Sequence, residues 1–571
     1  MFMQEEFIIG INGWQVRGHD ASAALIKCKT DGLVEIVAAA EEERFLGVKH
    51  AYDTLPLHAV QFCLDAAGIQ PEDLSSIAVP FEYPKIYETR GLRFDVSNSK
   101  LRKILFPNLT QANKPEIFYV NHHLAHAVSA FAPSMSNSSL VMVIDGQGEF
   151  ESSTIWSVGN RGKQIQKIAS SDIASSLGYF YEALTEFIGF QPNEPGKTMG
   201  LAPYGNPERY KGKINNLFVV NGGVITVQGP ELKFGLAVGD YLPIDEQHQV
   251  RLFWLKKFSE ITGMNPNDNS RKYSFRNFPK GYADLAASGQ RVLEEVVVTL
   301  AAQAQNLTQS KNAGIAGGVG LNCVANGLIA ESGLFDRIYV QPASNDAGTS
   351  LGAALEVARQ KGYGIHNVPM APYLGLSVSN QDILKILTRS NYNFIICDDA
   401  YRFIADLVAN GKVVGLFQGR AEFGPRALGN RSFIADARQA SMQDYINQHV
   451  KGREEGRPLA PAVLDSDSEY LFGQTVNAPH MTVAYQIQEG LDAVTHVDGT
   501  TRPQIVTAAS NSSFYRQLQA VQNKIGIGAV INTSLNLNGP IVNTPQQALR
   551  LLETTGAEAI VFNNRYLVRR K

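Results

Sequence analysis

Short apolar runs separated by polar turns open the chain: FIIGING from Phe7, SAALIKC from Ser22, a KTDG turn, then LVEIVAAA from Leu33. Runs of seven or eight residues bounded by glycine and polar turns predict three antiparallel strands. The same grammar returns over residues 139–170, as SLVMVIDG, QGEFES, STIWSV, GNRG and KQIQKIAS. A repeat of one supersecondary plan predicts two similar half-lobes; two ordinary hairpins in a mixed sheet would leave the same pattern. Each half opens with a strand that ends in a small or acidic turn, Asn12-Gly13 or Asp145-Gly146, and such turns put backbone amides beside a cleft.

Between the halves, Thr54 and Pro56 start a helix whose Leu57, Val60, Leu64 and Ala67 recur at helical spacing until Gly68 stops it. Residues 282–306 predict a long helix. AGIAGGVGLN (313–322) reads as a strand entering a glycine loop with a helix behind it; RIYVQP (337–342) is a strand, and the segment from Asp346 a helix ending at Gly362. Alternating strands and helices indicate an α/β fold. Periodicity is lost over 363–379, where two prolines stand, and this places a boundary near 365–380. A second α/β pattern follows: helix 399–410, strand 412–418, a glycine- and arginine-rich loop 419–431, helix 441–450, strand 528–534, helix 545–556 and strand 557–562. The division expected is therefore 1–365 and 380–571.

Composition narrows the class. The chain has 571 residues, 51 Lys and Arg against 54 Asp and Glu, and a net charge of −3, which gives no excess charge to gather nucleic acid or anionic membrane. With 44% hydrophobic and 18% charged residues, a large buried interior is expected and global disorder excluded. Cys28, Cys63, Cys323 and Cys397 are widely spaced, so no disulfide framework or thiolate zinc site is written here. An acidic amino terminus and the lack of an apolar run of about 18 residues lead to the expectation of a cytoplasmic protein with no membrane or nucleic-acid partner. A homo-oligomer is compatible with these numbers.

Several constellations carry chemistry. In NHHLAHAVSAF, His122 and His126 stand four residues apart, which on a helix points both imidazoles from one face, with His123 directed elsewhere. With Asp145 of VIDGQGE and Asp346 of SNDAGTS they make a two-nitrogen, two-oxygen donor set suited to iron, manganese or zinc. A pair of hydrogen-bonded surface histidines has the same spacing. His19-Asp20 pairs an imidazole with a carboxylate after the first strand, as a general base requires, or as a strand cap would show. The loop GGVGLN, with Gly317, Gly318 and Asn322, suits phosphate at a helix start and equally a plain turn. Lys197 in GKTMGLAPYG and the Arg44 and Lys49 of EEERFLGVKH read as ligand contacts or as solvated charges. Beyond the boundary, GRAEFGPRALGNRS sets Arg420, Arg426 and Arg431 among glycines, a pattern for anions. Lys451, Arg453, Arg457, Arg502 and the NTSLN turn from Asn532 through Ser534 complete a polyphosphate pocket, unless Glu454 and Glu455 merely balance a basic surface.

Taken together, the strings INGWxxxxHDASAAL, AEEERF, KH, NHHLAHAxSAF, DGxGE, GKTMGLAPYG, GGVGLN, NDAGTSLGAAL, GRAEFGPRALGNRS, RPLAPAVL and NTSLN resemble the O-carbamoyltransferase family of nodulation and antibiotic-tailoring enzymes. The resemblance runs through nearly the whole chain in order. It implies an amino-terminal actin-like lobe, duplicated and metal-dependent, and a carboxy-terminal YrdC-like lobe. It also implies two reactions: carbamoyl phosphate and ATP, with its Mg2+, give carbamoyl adenylate, and the carbamoyl group then passes to a hydroxyl. Carried over by position, His122, His126, Asp145 and Asp346 match metal ligands, with Fe2+ implied. Lys49 and the GGVGLN loop match the adenylate region; Arg426, Lys451, Arg502 and Ser534 match the first site. Leu535 stands where many relatives have Phe. His19 as the base for the acceptor hydroxyl is our own reading.

A small-molecule kinase on the actin-like fold, which would release ADP, and a nucleotide-regulated binding protein are the competing readings. The acceptor, whether sugar, aminoglycoside or macrocycle, is not encoded in any motif, because hydroxyl-binding walls are built from loops.

Overall fold

The computed structural model describes the chain apart from residues 1–3, 14–17, 90, 92, 95, 110–113, 135, 230–231, 233–245, 269–272, 489 and 571. Trp14 of the INGW string lies outside the described residues. The chain forms two compact units. The first comprises Met1–Glu42, His50–Arg271 and Pro279–Met370; the second comprises Ala371–Lys571 together with Glu43–Lys49 and Lys272–Phe278. Linear reading offered no sign that these two short segments belong to the second unit.

The first unit is built on strands β1 (Glu6–Asn12), β2 (Ser22–Cys28), β3 (Val34–Glu41), β4 (Leu74–Val79) and β5 (Glu116–Tyr119), ordered β3-β2-β1-β4-β5. Strands β1 to β3 are antiparallel, and β4 and β5 extend the sheet in parallel from β1. Then β6 (Ser139–Ile144), β7 (Glu151–Gly159), β8 (Gln164–Asp172), β9 (Asn312–Ala316) and β10 (Arg337–Val340) repeat the plan, with β8-β7-β6-β9-β10 in the same order and the same senses. This duplicated topology is the actin-like arrangement. Sequence reading found the three antiparallel strands of each half but missed β4, whose LSSIAV run has two serines, and the four-residue β5.

Helices follow corresponding strands in the two halves. Helix α1 (Leu57–Ala67) buries Ala59, Val60, Cys63 and Leu64, and Gly68 ends it with φ 67°; Leu57, counted on the apolar face, is 42% exposed. Helix α2 (His122–Phe131) follows β5, and α6 (Ala347–Gln360) follows β10. Between them in sequence lie α3 (Leu177–Ile188), α4 (Lys280–Thr308) and α5 (Cys323–Glu331). A Cβ on Gly352 would stand 1.8 Å from the Ala125 carbonyl oxygen, and one on Gly10 would stand 1.8 Å from that of Ser350. So α6 lies directly against α2 and against β1, at distances only a bare backbone permits. Among the described residues no helix is long and apolar enough to cross a membrane.

The second unit is a mixed α/β sheet. Its strands are β11 (Phe394–Ile396), β12 (Val414–Phe417), β13 (Arg431–Asp436), β14 (Pro461–Leu464), β15 (Gln504–Val506), β16 (Ala529–Ser534), β17 (Ala559–Phe562) and β18 (Tyr566–Arg569). Their order is β11-β18-β17-β12-β13-β16-β14-β15. Helices α7 (Asn380–Thr388), α8 (Ala400–Ala409), α9 (Ser512–Ile525) and α10 (Pro545–Thr554) cover it, with apolar cores around Phe417, Phe433 and Ile531 and around Val414, Ile434 and Phe514. The expected strands near 412–418, 528–534 and 557–562 are present; β11, β13, β14, β15, β18, α7 and α9 were not anticipated.

Candidate metal centre and anion pocket

The duplication explains how four residues remote in sequence meet. His122 and His126 face one way from the first turns of α2. Asp145 immediately follows β6, the first strand of the second half, and Asp346 immediately precedes α6. Because α6 packs on α2, its amino terminus reaches the histidines. One ligand atom from each of the four residues lies within 4.8 Å of all the others, and all four are buried. His122 Nε2 is 3.3 Å from Asp145 Oδ2 and 3.6 Å from Asp346 Oδ1; His126 Nε2 is 3.5 and 3.6 Å from the same oxygens.

The surroundings aim the donors. Nδ1 of His122 is 3.1 Å from the Pro80 carbonyl, which takes the ring proton there and leaves Nε2 facing the aspartates. The Phe81 ring stacks on His122 at 4.1 Å. Asn121 caps α2, its side chain accepting from Leu124 N, while Glu149 accepts from His122 N at 2.9 Å and from Asn121 Nδ2 at 2.7 Å. His123 turns away to Thr154 Oγ1, as its place on the helix predicted. Neither ring nitrogen of His126 makes a hydrogen bond to a described residue, although the residue is fully buried. A buried imidazole that faces two carboxylates and forms no hydrogen bond to a described residue has the chemistry of a cation ligand. The residues present fit a divalent metal.

Charge follows the geometry. Burial opposes ionisation of Asp145, yet His122 and His126 hold its proton affinity well below the carboxylate range; burial likewise opposes ionisation of Asp346, which His19 and His122 hold low. Reciprocally, burial disfavours a charged His122, but Asp346 and Asp145 raise it well above the usual imidazole value.

His19 sits at the rim. Its Nε2 is 3.7 Å from Asp346 Oδ2 and its Nδ1 is 3.2 Å from Asp20 Oδ2. Its desolvation lowers the proton affinity, but Asp346 and Asp20 prevail and raise the value to about 10. The glycine loop lies on the other side of Asp145. Gly318 N donates to Asp145 Oδ1 at 2.8 Å, so this amide serves a carboxylate of the centre. Gly317 has φ 89°, and a Cβ there would stand 2.4 Å from the Ile144 carbonyl oxygen, which no other residue tolerates. Asn322 caps α5 through Ala325 N and exchanges two hydrogen bonds with buried Gln290. Lys197 pairs with Glu194 at 2.9 Å. Gly318, Asn322 and Lys197 thus each have a structural partner within the first unit.

In the second unit, Lys49 is exposed in a turn, but Arg44 of the same segment is 3% exposed and donates to the Gly424 carbonyl at 2.7 Å. A solvated run does not describe it. The arginine loop divides its guanidinium groups. Arg431 is fully buried, stacked on the Phe417 ring at 3.7 Å and bonded to the carbonyls of Gln418, Asn430, Leu376 and Gly419. It is a structural residue, not the anion contact the spacing suggested. Arg420 turns Nε and Nη2 to the carbonyls of Gly375 and Leu374. Arg426 is half-buried in the loop.

Lys451 follows a π-helical turn, Ile446–Val450, of the kind that often marks functional positions. Its Nζ is 2.7 Å from Ser534 O, 3.1 Å from Ser534 Oγ and 3.0 Å from Asn536 O, and it also contacts Asn536 Oδ1. Burial, with Arg453 and Arg457 nearby, holds its proton affinity well below the ordinary lysine value; burial and Arg457, with Arg502 adding to them, do the same for Arg453 despite Glu454. Glu454 pairs with Arg457 at 3.3 Å. Asn532 is buried, bonded to Gln504 and the Ala427 carbonyl, with its own Oδ1 unbonded. These cations outnumber their acids, which rules out a simple balanced surface.

Sequence reasoning gave no role to Glu149, Pro80 or His50. Glu149 stood in the quoted DGxGE string, where a carboxylate facing a helix amino terminus was a usable signal; Pro80 acts only through its carbonyl and left none.

Family models described as Carbamoyltransferase N-terminus and Carbamoyltransferase C-terminus match residues 86–355 and 405–570. The chain is 33% identical to the nodulation protein NolNO of Sinorhizobium fredii, over 97% of this chain and 79% of that protein. It is 37% identical to a 3'-hydroxymethylcephem-O-carbamoyltransferase of Streptomyces clavuligerus, over 42% of this chain and 45% of that one. Among solved structures, full-length HypF in its phosphate- and nucleotide-bound form is similar at 12% identity and a TM-score of 0.32, over 64% of this chain and 57% of that one, too remote to bear on function.

Proposed function

The chain belongs to the carbamoyltransferase family and is a carbamoyltransferase, and from that premise we propose an ATP-dependent O-carbamoyl transfer divided between its two units. In the second unit, which we read as YrdC-like, carbamoyl phosphate loses its phosphate to water. The carbamate oxygen then attacks the α-phosphorus of ATP, releasing pyrophosphate and leaving carbamoyl adenylate. Arg426, Lys451, Arg502 and Ser534 hold the phosphoryl oxygens, with Arg457, Arg420 and Asn532 around them. The buried Lys451 with Arg453 and Arg457 nearby supports this, since an anion offsets their mutual repulsion.

The first unit performs the transfer. The acceptor oxygen attacks the carbamoyl carbon, the bond to AMP breaks, and the proton passes to His19 Nε2. A divalent ion held by His122, His126, Asp145 and Asp346 would supply Lewis-acid polarisation of the carbamoyl oxygen; iron is the one proposed, and manganese or zinc accept the same donors. Ligation would draw the charge of Asp346 away from His19 and so favour the neutral imidazole that accepts a proton. The GGVGLN loop contributes to adenylate binding in this unit, and the acceptor is a sugar, aminoglycoside or macrocycle hydroxyl.

The single observation carrying this reading is the convergence of the four ligand atoms within 4.8 Å. Its test supplies carbamoyl phosphate and ATP without acceptor. Pyrophosphate, phosphate and AMP are expected; ADP in place of AMP would instead establish a kinase.

A further inference from the structure

Asp20 divides its two carboxylate oxygens between two imidazoles. Oδ1 is 2.7 Å from His50 Nδ1, and Oδ2 is 3.2 Å from His19 Nδ1. The remaining nitrogen of His19 faces Asp346 at 3.7 Å. By contact, the four residues form a chain, His50 to Asp20 to His19 to Asp346 of the ligand cluster.

The chain is held rigidly. Asp20 N donates to the His50 carbonyl at 2.6 Å, and Asp53 N donates to Gly18 O at 2.8 Å, which ties the two turns together. Asn12 Nδ2 reaches both the His19 and Asp20 carbonyls, at 3.0 and 3.1 Å. Four residues of these turns, Asp20, His50, Ala51 and Asp53, have φ of 52°, 66°, 39° and 51°. Left-handed backbone at non-glycine positions is costly and persists where surrounding structure enforces it, commonly at functional sites. Exposure is greatest at the reacting residue: the side chains are 22% exposed at His50, 11% at Asp20 and 49% at His19.

We infer that Asp20 and His50 are positioning residues that fix the orientation and tautomer of His19; the inference rests on the role proposed above for His19. An imidazole that receives a proton at Nε2 must carry its own hydrogen at Nδ1, and Asp20 Oδ2 is the acceptor that keeps it there. A carboxylate with one partner rotates about its terminal bond. His50 removes that freedom by occupying the second oxygen, so the plane of Asp20, and with it the ring of His19, is set. Merely fastening two turns would not require the second oxygen to face an imidazole that borders the ligand cluster.

The test uses the full-length, zinc-loaded protein and three variants. His50→Gly removes the imidazole while permitting the left-handed backbone. His50→Asn restores a donor to Asp20 in a residue that also tolerates that backbone. Asp20→Asn keeps shape and loses the acceptor pair. Carbamoyl phosphate and ATP are supplied with water as acceptor, so that water oxygen attacks the carbamoyl carbon, AMP departs and carbamate forms. Pyrophosphate burst and bound zinc should be unchanged in all three. AMP release should fall about a hundredfold in His50→Gly and Asp20→Asn, the scale of a misoriented catalytic group, and His50→Asn should recover most of it. Independently of turnover, the His19 Nδ1–H resonance in 15N-histidine spectra should be present in the unsubstituted protein and in His50→Asn, and absent in His50→Gly. AMP release in His50→Gly within twofold of the unsubstituted protein, or an unaltered His19 resonance, overturns the inference. Equal losses in His50→Gly and His50→Asn together with lost zinc would also overturn it, since the turn would then be structural. If no protein releases pyrophosphate, the proposed reaction fails while the resonance still decides the role of His50.

Discussion

The two units bury charge of opposite sign. In the first, Asp145 and Asp346 converge on two imidazoles, and a fully buried His126 has no hydrogen bond to a described residue. In the second, Lys451 is enclosed with Arg453 and Arg457 nearby, and burial and mutual repulsion lower the proton affinities of Lys451 and Arg453. Burying like charges is unfavourable unless a counter-charge arrives. The donor set of the first unit therefore suits a cation, and the charge excess of the second suits an anion. The manner of holding differs as well. The acidic centre is assembled from the ends of a strand and of helices in a duplicated frame, whereas the basic one hangs on loops and a π turn, geometry suited to a ligand that enters and leaves.

The sharpest way to break this contrast is to remove a ligand from one side. His126→Ala should abolish bound metal and lower carbamoyl transfer by about a thousandfold or more, the scale of losing a Lewis acid, while pyrophosphate release continues. Arg426→Ala should stop both reactions and leave metal content unchanged. Metal analysis and the two product assays decide it; pyrophosphate lost equally in both variants would dissolve the division of labour.

Much of the first unit was legible, because its information is local or repeated. The His122 and His126 spacing fixes a shared helix face, and the duplicated three-strand grammar fixes two corresponding frames. That Asp346 joins them depends on Gly352 and Gly10 admitting α6 against α2 and β1, a contact with no periodic signature. The second unit was less legible. Its sheet draws strands together from long-range pairings, and charge count alone could not separate Arg426 from Arg431. Burial made that separation: Arg431 spends its guanidinium on four carbonyls and a ring. Nor does any pattern announce that Glu43–Lys49 belongs with residues beyond 371.

The difference between the two arginines is the next test. Arg431→Lys offers three donors for four carbonyls, so at least one loses its bond, and it removes a planar stack; it should cost about 3 kcal/mol of stability, read as a lower denaturant midpoint, with nucleotide affinity preserved in the folded fraction. Arg426→Lys should do the reverse, weakening ATP binding with little change in the midpoint. Matching midpoints for the two would place Arg431 back among the ligand contacts.

Lys451 gives the basic centre a pH signature. Its folded proton affinity lies below the ordinary value of 10.5. From that lowered value up to 10.5 the unfolded chain holds a proton that the folded chain lacks, so stability without ligand rises with pH across the interval. A bound polyphosphate restores the affinity, and binding should take up a proton there. Calorimetry of pyrophosphate binding in buffers of different ionisation enthalpy measures the uptake, and Lys451→Met should remove it.

The smallest expected effect lies at the helix that aims the histidines. Asn121 accepts from Leu124 N and donates to Glu149, so a single side chain ends the unpaired backbone at the start of α2 and holds the carboxylate that faces it. Asn121→Ala removes a cap and should cost about 1 kcal/mol, seen as a modest fall in Tm. Because His122 is the first residue of α2, fraying of that turn loosens one metal ligand and not the other, which stands a full turn deeper. Metal affinity should therefore weaken more than global stability, and Asn121→Asp, which keeps the accepting oxygen but sets a second carboxylate against Glu149, should restore the cap and not the affinity. Equal recovery of both by Asn121→Asp would mean that Glu149 has no part in aiming His122.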